Sequence, residues 1–332
     1  MEEDILQLDK KLLKILLSDK TTKEYILWGT DDYLDLGTEY ASDKQMLPEQ
    51  ITGEFTRLIQ PRIEKSEEER SKRTRNRAEV FTPSWVCNTQ NNAVDRAWFG
   101  RDIVFNYEDG TTWKATKWAV NFPKKLGKTW QDYVRAPRLE VACGEAPYIV
   151  SRYDTVTGEK ISIRQRVGLL DRKLRIVNEN VTDFDEWLKW VKEAYRSVYG
   201  FEYQGDNLLL ARENLLLTFM DYMWHKEKRS PSTKELCDIA EIIAWNIWQM
   251  DGIKCVVPGS CHKENQNDNS NQLSLFGTEQ FSQFSNEPIM CDCPGCEKED
   301  IFNHNGIYSK IMDWDKHKSI RYVDILKGAK HE

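Results

Sequence analysis

The sequence has no long hydrophobic run. No apolar stretch approaches the ~20 residues that a membrane-spanning helix requires. The opening Met1-Glu-Glu-Asp also lacks the basic start and following apolar stretch that are typical of a secretory signal. These absences argue against a helical membrane protein and against export. We therefore expect a cytoplasmic protein with no membrane partner.

Positive charge is in short supply. The chain has 47 Lys and Arg against 54 Asp and Glu, so its net charge is −7. Because phosphate binding rewards a basic surface, this balance argues against a protein that coats nucleic acid indiscriminately. A local basic segment lies at residues 70–77, directly after three glutamates. It fits a solvated linker or helix face, and it also fits a contact with nucleic acid.

Apolar residues are plentiful enough for a core, since they make up 40% of 332 residues. Between residues 76 and 258, short apolar runs alternate with helical patterns, which predicts an α/β domain. We expect a helical N-terminal extension over residues 1–75 and a small C-terminal unit over residues 259–332. In the α/β region, Ser232 and Glu235 form a capping box, which predicts the start of a helix.

The C-terminal unit contains two contrasting kinds of sequence. Residues 262–286 are rich in Asn, Gln, Ser and Glu, and this composition predicts a loosely held loop. Residues 307–314 and 319–326 carry apolar and aromatic side chains on either side of a polar stretch. We predict two strands there, which would form a small terminal β unit.

Four short segments carry the functional signal. In chain order they are Phe81-Thr82-Pro83, the turn Cys143-Gly144-Glu145 after the strand-like residues 139–142, Glu202 after residues 198–201, and Asp251 after residues 245–250. A glycine turn after a strand lets backbone amides approach a ligand closely. Thr82 and Pro83 also fit a helix start. Glu202 and Asp251 equally fit ordinary surface, helix or turn positions.

The order of these segments resembles that of the N6-adenine DNA methyltransferases of restriction-modification systems, over somewhat more than half of the chain. The resemblance implies a Rossmann-like sheet that binds S-adenosylmethionine. It implies that residues 81–83 and 143–145 lie near the cofactor. Glu202 would accept hydrogen bonds from the ribose hydroxyls, and Asp251 would hold the adenine amine.

The sequence departs from that family in its glycine turn and in its spacing. Glu140, Val141 and Ala146 stand where the family has Asp, Pro and a second Gly. The gaps before Glu140 and Glu202 are also longer than the family usually has. We expect each gap to hold an inserted hairpin or lid.

The motif that should carry out methyl transfer is missing. In the resembled family, an Asp/Asn-Pro-Pro-Tyr/Phe tetrapeptide binds the amine and stacks on the flipped base, yet no two prolines are adjacent here. The catalytic residues are therefore unknown. The leading hypothesis is a modification subunit that acts on double-stranded DNA, with a restriction or specificity subunit as a further partner. The alternative is a catalytically inactive DNA-recognition or assembly subunit on a degenerate methyltransferase scaffold.

Several of the eight cysteines are close together near the C-terminus. Cys293-Pro-Gly-Cys296 has the spacing that lets two thiolates reach one zinc ion, and Cys255 and Cys261 lie upstream. We predict a structural zinc site with these four ligands, while noting that Cys291, His262 and His304 are near in sequence. The alternative is a set of reduced, free thiols.

Overall fold

The computed structural model describes residues 10–77, 82–123, 127–265 and 290–329 and has a mixed α/β architecture. Its helices are α1 (Lys10–Leu17), α2 (Glu67–Arg77), α3 (Ser84–Phe99), α4 (Trp130–Arg135), α5 (Leu169–Asn180), α6 (Phe184–Arg196), α7 (Gly205–Glu227), α8 (Thr233–Asn246), α9 (Pro294–Lys298) and α10 (Tyr322–Ala329). Its strands are β1 (Asn106–Asp109), β2 (Thr112–Ala115), β3 (Arg138–Glu140), β4 (Val198–Glu202), β5 (Ile247–Gln249), β6 (Glu264–Asn265), β7 (Met290–Cys291), β8 (Lys310–Asp313) and β9 (Lys318–Arg321).

A parallel sheet lies at the centre. Its strands are ordered β3, β4, β5, with Glu140 opposite Gly200 and Glu202 opposite Gln249. Parallel neighbours need crossover connections; helices α5 and α6 join β3 to β4, and α7 and α8 join β4 to β5. The predicted helix start is confirmed, because Ser232 accepts a hydrogen bond from the Glu235 backbone amide while the Glu235 carboxylate accepts one from the Ser232 amide.

The two faces of the sheet contact different parts of the chain. Successive strand residues point to opposite faces, so Val198 and Ile247 join the main hydrophobic core, which includes side chains of α5 to α8. Phe201 and Trp248 instead belong to a smaller apolar cluster with side chains of β8 and α10. The C-terminal unit therefore packs against the opposite face of the sheet.

The two edges of the sheet differ. At β5, the Gln249 side chain accepts a hydrogen bond from the Leu27 amide and donates one to the Leu27 carbonyl, so the N-terminal extension lies along this edge. At β3, Leu139 and the following Val141 are 42% and 65% exposed. No further strand pairs with β3 among the described residues. The β3 edge is open in this part of the chain.

The C-terminal unit is only partly the predicted pair of strands. The hairpin of β8 and β9 is present, but from Tyr322 onwards the chain is helical, so the prediction of strand over residues 319–326 is wrong beyond Arg321. Tyr322, Val323 and Leu326 have helical spacing, which brings all three against the sheet cluster. Most of the predicted loop at 262–286 lies outside the described residues.

The gap before Glu140 contains the expected hairpin, formed by β1 and β2. Among the described residues, no helix combines the length and apolar character needed to cross a membrane.

Candidate functional site

A cleft of about 520 Å³ opens at the carboxyl ends of β3 and β4. Its lining includes residues 139–144, Thr82 and Asn91 on one side, and Glu202, Gln204 and Asn207 at the start of α7 on another. Ligands of open α/β sheets bind outside the carboxyl ends of the strands, where loops from neighbouring strands meet. The position and polar lining of this cleft therefore make it the candidate ligand site.

The turn after β3 has an unusual backbone. Ala142, Gly144 and Ala146 all lie in the left-handed region, with φ values of 49°, 53° and 63°. Ala146 thus keeps the conformation that a glycine would favour, although a side chain makes that conformation costlier, typically by about 1–2 kcal/mol per residue. The turn after β3 therefore follows a backbone path that glycine would adopt more easily at position 146.

Glu202 is the last residue of β4 and joins this turn to the start of α7. Its carboxylate accepts hydrogen bonds from the Gly144 amide at 2.8 Å and from the Tyr203 and Gln204 amides at 2.9 and 3.1 Å. Burial raises the pKa of Glu202, although these amides favour the ionised form. The carboxylate is therefore positioned by backbone groups at the wall of the cleft.

Glu140 is a second buried carboxyl group in the cleft. Its oxygens accept hydrogen bonds from the amides of Tyr148 and Ile149 at 3.3 and 3.1 Å. Burial, with the nearby Glu202 charge, raises the pKa of Glu140 to about 8 despite those bonds. Two buried carboxyl groups in one polar cleft suit a ligand that donates hydrogen bonds or carries positive charge.

The other predicted site residues have different surroundings. Cys143 is 2% exposed, and burial raises its pKa well above the usual range, which leaves an inert thiol. The Glu145 carboxylate accepts hydrogen bonds from the Arg62 amide and the Tyr153 hydroxyl, both at 2.6 Å, so it ties the N-terminal extension to the turn. Thr82 lines the cleft, whereas Pro83 immediately precedes α3. Phe81 lies outside the described residues.

Asp251 lies beyond the residues that line the cleft. Its carboxylate accepts hydrogen bonds from the amides of Ile253 and Lys254, and its backbone pairs with Val256. It therefore stabilises the turn after β5. In contrast, the sequence interpretation did not assign Gln204 and Asn207 to the site, although their place just after Glu202 in the sequence was a usable signal.

A second constellation lies in the C-terminal unit. The ligand atoms of Cys261, Cys293, Cys296 and His304 all lie within 4.8 Å of one another. The His304 Nδ1 is 3.6, 3.5 and 3.7 Å from the sulfurs of Cys261, Cys293 and Cys296, respectively. Three thiols and one imidazole form a donor set typical of tetrahedral zinc sites. This Cys3His group can hold a metal ion such as zinc.

Local backbone features favour metal binding. The Cys293 thiol is shielded from water, which raises its pKa, but hydrogen bonds from backbone amides that include Asn305 lower the pKa to about 6. The thiolate is the form that binds metal. Gly295 lies directly against the His304 ring, because an added Cβ would come within 2.7 Å of it. The glycine in Cys-Pro-Gly-Cys thus allows the imidazole to approach.

The structure corrects one predicted ligand. Cys255 is 1% exposed and packs with Phe201, Trp248 and Met250 in the smaller apolar cluster. Burial raises its pKa to about 11, so it is a neutral core thiol. His304 takes the fourth position in the Cys3His group.

Comparison with known proteins identifies no relative: no protein-family model, curated protein or solved structure matches this chain.

Proposed function

We propose that this chain is the S-adenosylmethionine-binding, methyltransferase-like modification subunit of a restriction-modification or phage-defence system, acting on adenine N6 in DNA. The observation that supports this proposal most directly is the cleft at the carboxyl ends of β3 and β4, which is bounded by the Gly144 turn and Glu202. The sheet order gives further support, because β3, β4 and β5 lie side by side in chain order, as in one half of a doubly wound nucleotide-binding fold.

In this proposal, the Gly144 turn and Glu202 would hold the cofactor in the cleft. Glu202 can accept from ribose hydroxyls, and the second carboxyl group, Glu140, can accept from the amino group of the methionine moiety. When bound, S-adenosylmethionine would supply an activated methyl group for transfer from its sulfur to adenine N6, with loss of one amine proton. The acceptors that position this amine are not recognisable in the sequence.

The proposal is tested by isothermal titration calorimetry of the purified chain with S-adenosylmethionine. We expect the wild-type chain to bind and Glu202→Ala to lose at least about tenfold in affinity, equivalent to 1.4 kcal/mol. Glu186→Ala, which removes an exposed carboxylate from α6, is the control and should bind normally. Absence of binding by the wild-type chain would refute the proposal.

Asp251→Ala separates two versions of the pocket. Since Asp251 lies outside the cleft lining and holds a local turn, we expect this variant to keep most of its affinity. Loss of binding as severe as in Glu202→Ala would instead support the adenine-binding role that the family resemblance implies for Asp251.

A DNA-recognition or assembly subunit without its own catalysis is the second candidate function. It is favoured by the lack of adjacent prolines and by the open β3 edge with its exposed Leu139 and Val141. Exposed strand edges are ready templates for pairing with another chain. Binding of S-adenosylmethionine without methylation of adenine-containing DNA by the isolated chain would favour this candidate.

The Cys3His group is, in our proposal, a structural zinc site. It has four protein donors, which leaves no open position for a substrate. Its role would be to hold residues 255–261 and 293–309 together beside the sheet.

A further inference from the structure

A groove beside α2, separate from the cleft, has several arginines in its lining. The groove measures about 700 Å³ and is lined by Arg62, Arg70, Ser71, Thr74, Arg75 and Thr155, with Glu67 at its acidic end. We call these residues the α2 groove. Lys72 is exposed on the same helix. The groove thus combines cationic side chains with hydroxyl groups on a concave surface.

Three cations of α2 have no carboxylate within 4.0 Å among the described residues. Carboxylates lie within 4.0 Å of many arginines, including Arg73, Arg152, Arg166, Arg172, Arg175, Arg196, Arg229 and Arg321. Arg70, Lys72 and Arg75 have no carboxylate partner among the described residues, and the buried Arg70 Nε has no hydrogen-bond acceptor there. The Arg75 Nε donates a hydrogen bond to the Ser71 carbonyl at 3.3 Å, but no carboxylate neutralises any of the three cations among the described residues.

Arg73 explains how the helix is oriented. Its side chain turns inward and binds the buried Asp206 at 2.5 Å, so it fixes α2 against the start of α7. The basic segment is therefore divided, with Arg73 anchoring the helix while Arg70, Lys72 and Arg75 remain for binding. The exposed side of α2 is also not a plain convex surface. Arg62 lies against it, and its guanidinium donates a hydrogen bond to the Thr74 hydroxyl at 2.9 Å, so the two segments together form a concave surface.

The α2 groove is connected to the cleft through one short segment. Thr155 lines the groove, and its hydroxyl donates a hydrogen bond to the Thr82 carbonyl at 3.0 Å. Thr82 in turn lines the cleft. The neighbouring Asp154 accepts a hydrogen bond from the Ser84 amide at the start of α3. The groove and the cleft therefore meet at the hydrogen bond between Thr155 and Thr82.

We infer that the α2 groove binds the phosphate backbone of duplex DNA and holds it beside the cleft. Phosphate oxygens are contacted by Arg, Lys and Ser side chains among others, and Arg70, Arg75 and Ser71 in the groove, with the exposed Lys72 on the same helix, supply such donors. A chain with a net charge of −7 needs such a local patch to bind a polyanion. The inference rests on the proposed function, because it names the surface that positions the DNA substrate.

The test is fluorescence anisotropy with a labelled duplex of about 20 base pairs between about 50 and 200 mM salt. The variant replaces Arg70, Lys72 and Arg75 together with glutamine. We expect at least about tenfold weaker binding at the lowest salt. The slope of the logarithm of the binding constant against the logarithm of the salt concentration should become shallower by about 2 to 3, since each phosphate contact contributes about 0.9 to that slope.

The matched control replaces Lys189, Lys234 and Lys318 with glutamine. These are exposed lysines on α6, α8 and β9, and their loss changes the net charge equally. We expect the control to bind DNA nearly as tightly as the wild-type chain. The inference is overturned if the control weakens binding as much as the α2 variant, if the α2 variant binds normally, or if the wild-type chain does not bind the duplex.

Calorimetry with S-adenosylmethionine on the same α2 variant separates this inference from the proposed function. Unchanged cofactor affinity together with lost DNA affinity supports both. Cofactor binding with DNA binding that is indifferent to the α2 substitutions refutes the groove alone. A chain that needs the groove for DNA but never binds S-adenosylmethionine refutes the proposed function alone.

Discussion

At the scale of single residues, the cleft depends on carboxyl groups held in unusual environments. Glu140 and Glu202 are buried. The hydrogen bonds that position their carboxyl groups come from backbone amides. Neither has an arginine or lysine partner within 4.0 Å among the described residues. Burial without a cation favours the neutral acid, which explains the raised pKa values.

Glu140 makes stability depend on pH in a definite direction. Its pKa is about 8 in the folded chain, against about 4.3 for an unperturbed glutamate. The folded state therefore holds the Glu140 proton more tightly than the unfolded state does. The stabilisation that this proton provides is complete below the pKa of Glu140 in the unfolded chain, and it is lost as the pH rises through 8. We expect the unfolding free energy of the wild-type chain to fall more steeply between pH 5 and 8 than that of Glu140→Gln. The difference in slope should be on the order of 1 kcal/mol per pH unit.

Urea denaturation of cofactor-free protein at several pH values measures this difference. Glu186→Gln, an exposed substitution on α6, should follow the wild-type curve. Parallel wild-type and Glu140→Gln curves would contradict the shifted titration.

At the scale of elements, the N-terminal extension is fastened to the sheet by buried polar contacts. Asp206, at the start of α7, is 1% exposed and accepts hydrogen bonds from Arg73, Lys65 and Tyr33 at 2.5, 3.2 and 2.9 Å. The positive charges of Lys65 and Arg73 hold the pKa of Asp206 well below its usual range, although burial acts in the opposite direction. The network links α2 directly to the helix that follows Glu202.

Two arginines on the same helix should therefore behave differently. Arg73→Met leaves Asp206 with a weakened set of partners in a buried position, and we expect a loss of about 3 kcal/mol of unfolding free energy. Arg75→Met changes an exposed side chain and should cost less than about 0.5 kcal/mol. Urea denaturation of both variants measures the contrast. Equal losses would show that the buried network does not hold α2.

At the scale of the whole molecule, the Cys3His group brings together segments that are far apart in the sequence. Cys261 comes before the undescribed residues 266–289, whereas the other three members come after them. A bound metal ion would therefore cross-link segments that are far apart in the sequence. Beside it, Ile311 and Val323 pack on Phe201 and Trp248, so this apolar contact is independent of the metal.

Metal analysis distinguishes the observed ligands from the one predicted by the sequence. We expect purified wild-type protein to contain one zinc ion per chain, and His304→Ala to lose most of it. Cys255→Ser should keep zinc while losing about 1–3 kcal/mol of stability, because it places a hydroxyl in the apolar cluster. Inductively coupled plasma mass spectrometry measures zinc content. Full zinc in His304→Ala, or none in the wild-type chain, would contradict the site.

The sequence by itself determined the features that depend on neighbouring residues. The capping box of Ser232 and Glu235, the end of a strand at Glu202 and the Cys293-Pro-Gly-Cys296 pair are all local, because backbone geometry and side-chain spacing suffice to form them. The mixed α/β architecture also followed from the alternation of local patterns.

Only the tertiary structure decided which distant residues meet. It placed His304, and not Cys255, beside the thiols of Cys261, Cys293 and Cys296. It also directed Arg73 toward the buried Asp206, whereas Lys72 and Arg75 on the same helix are exposed. It also placed Asp251 in a turn and Glu140 in the cleft. These outcomes depend on the burial of surfaces from separate segments and on the pairing of buried charges, which are long-range energies that no local spacing reveals.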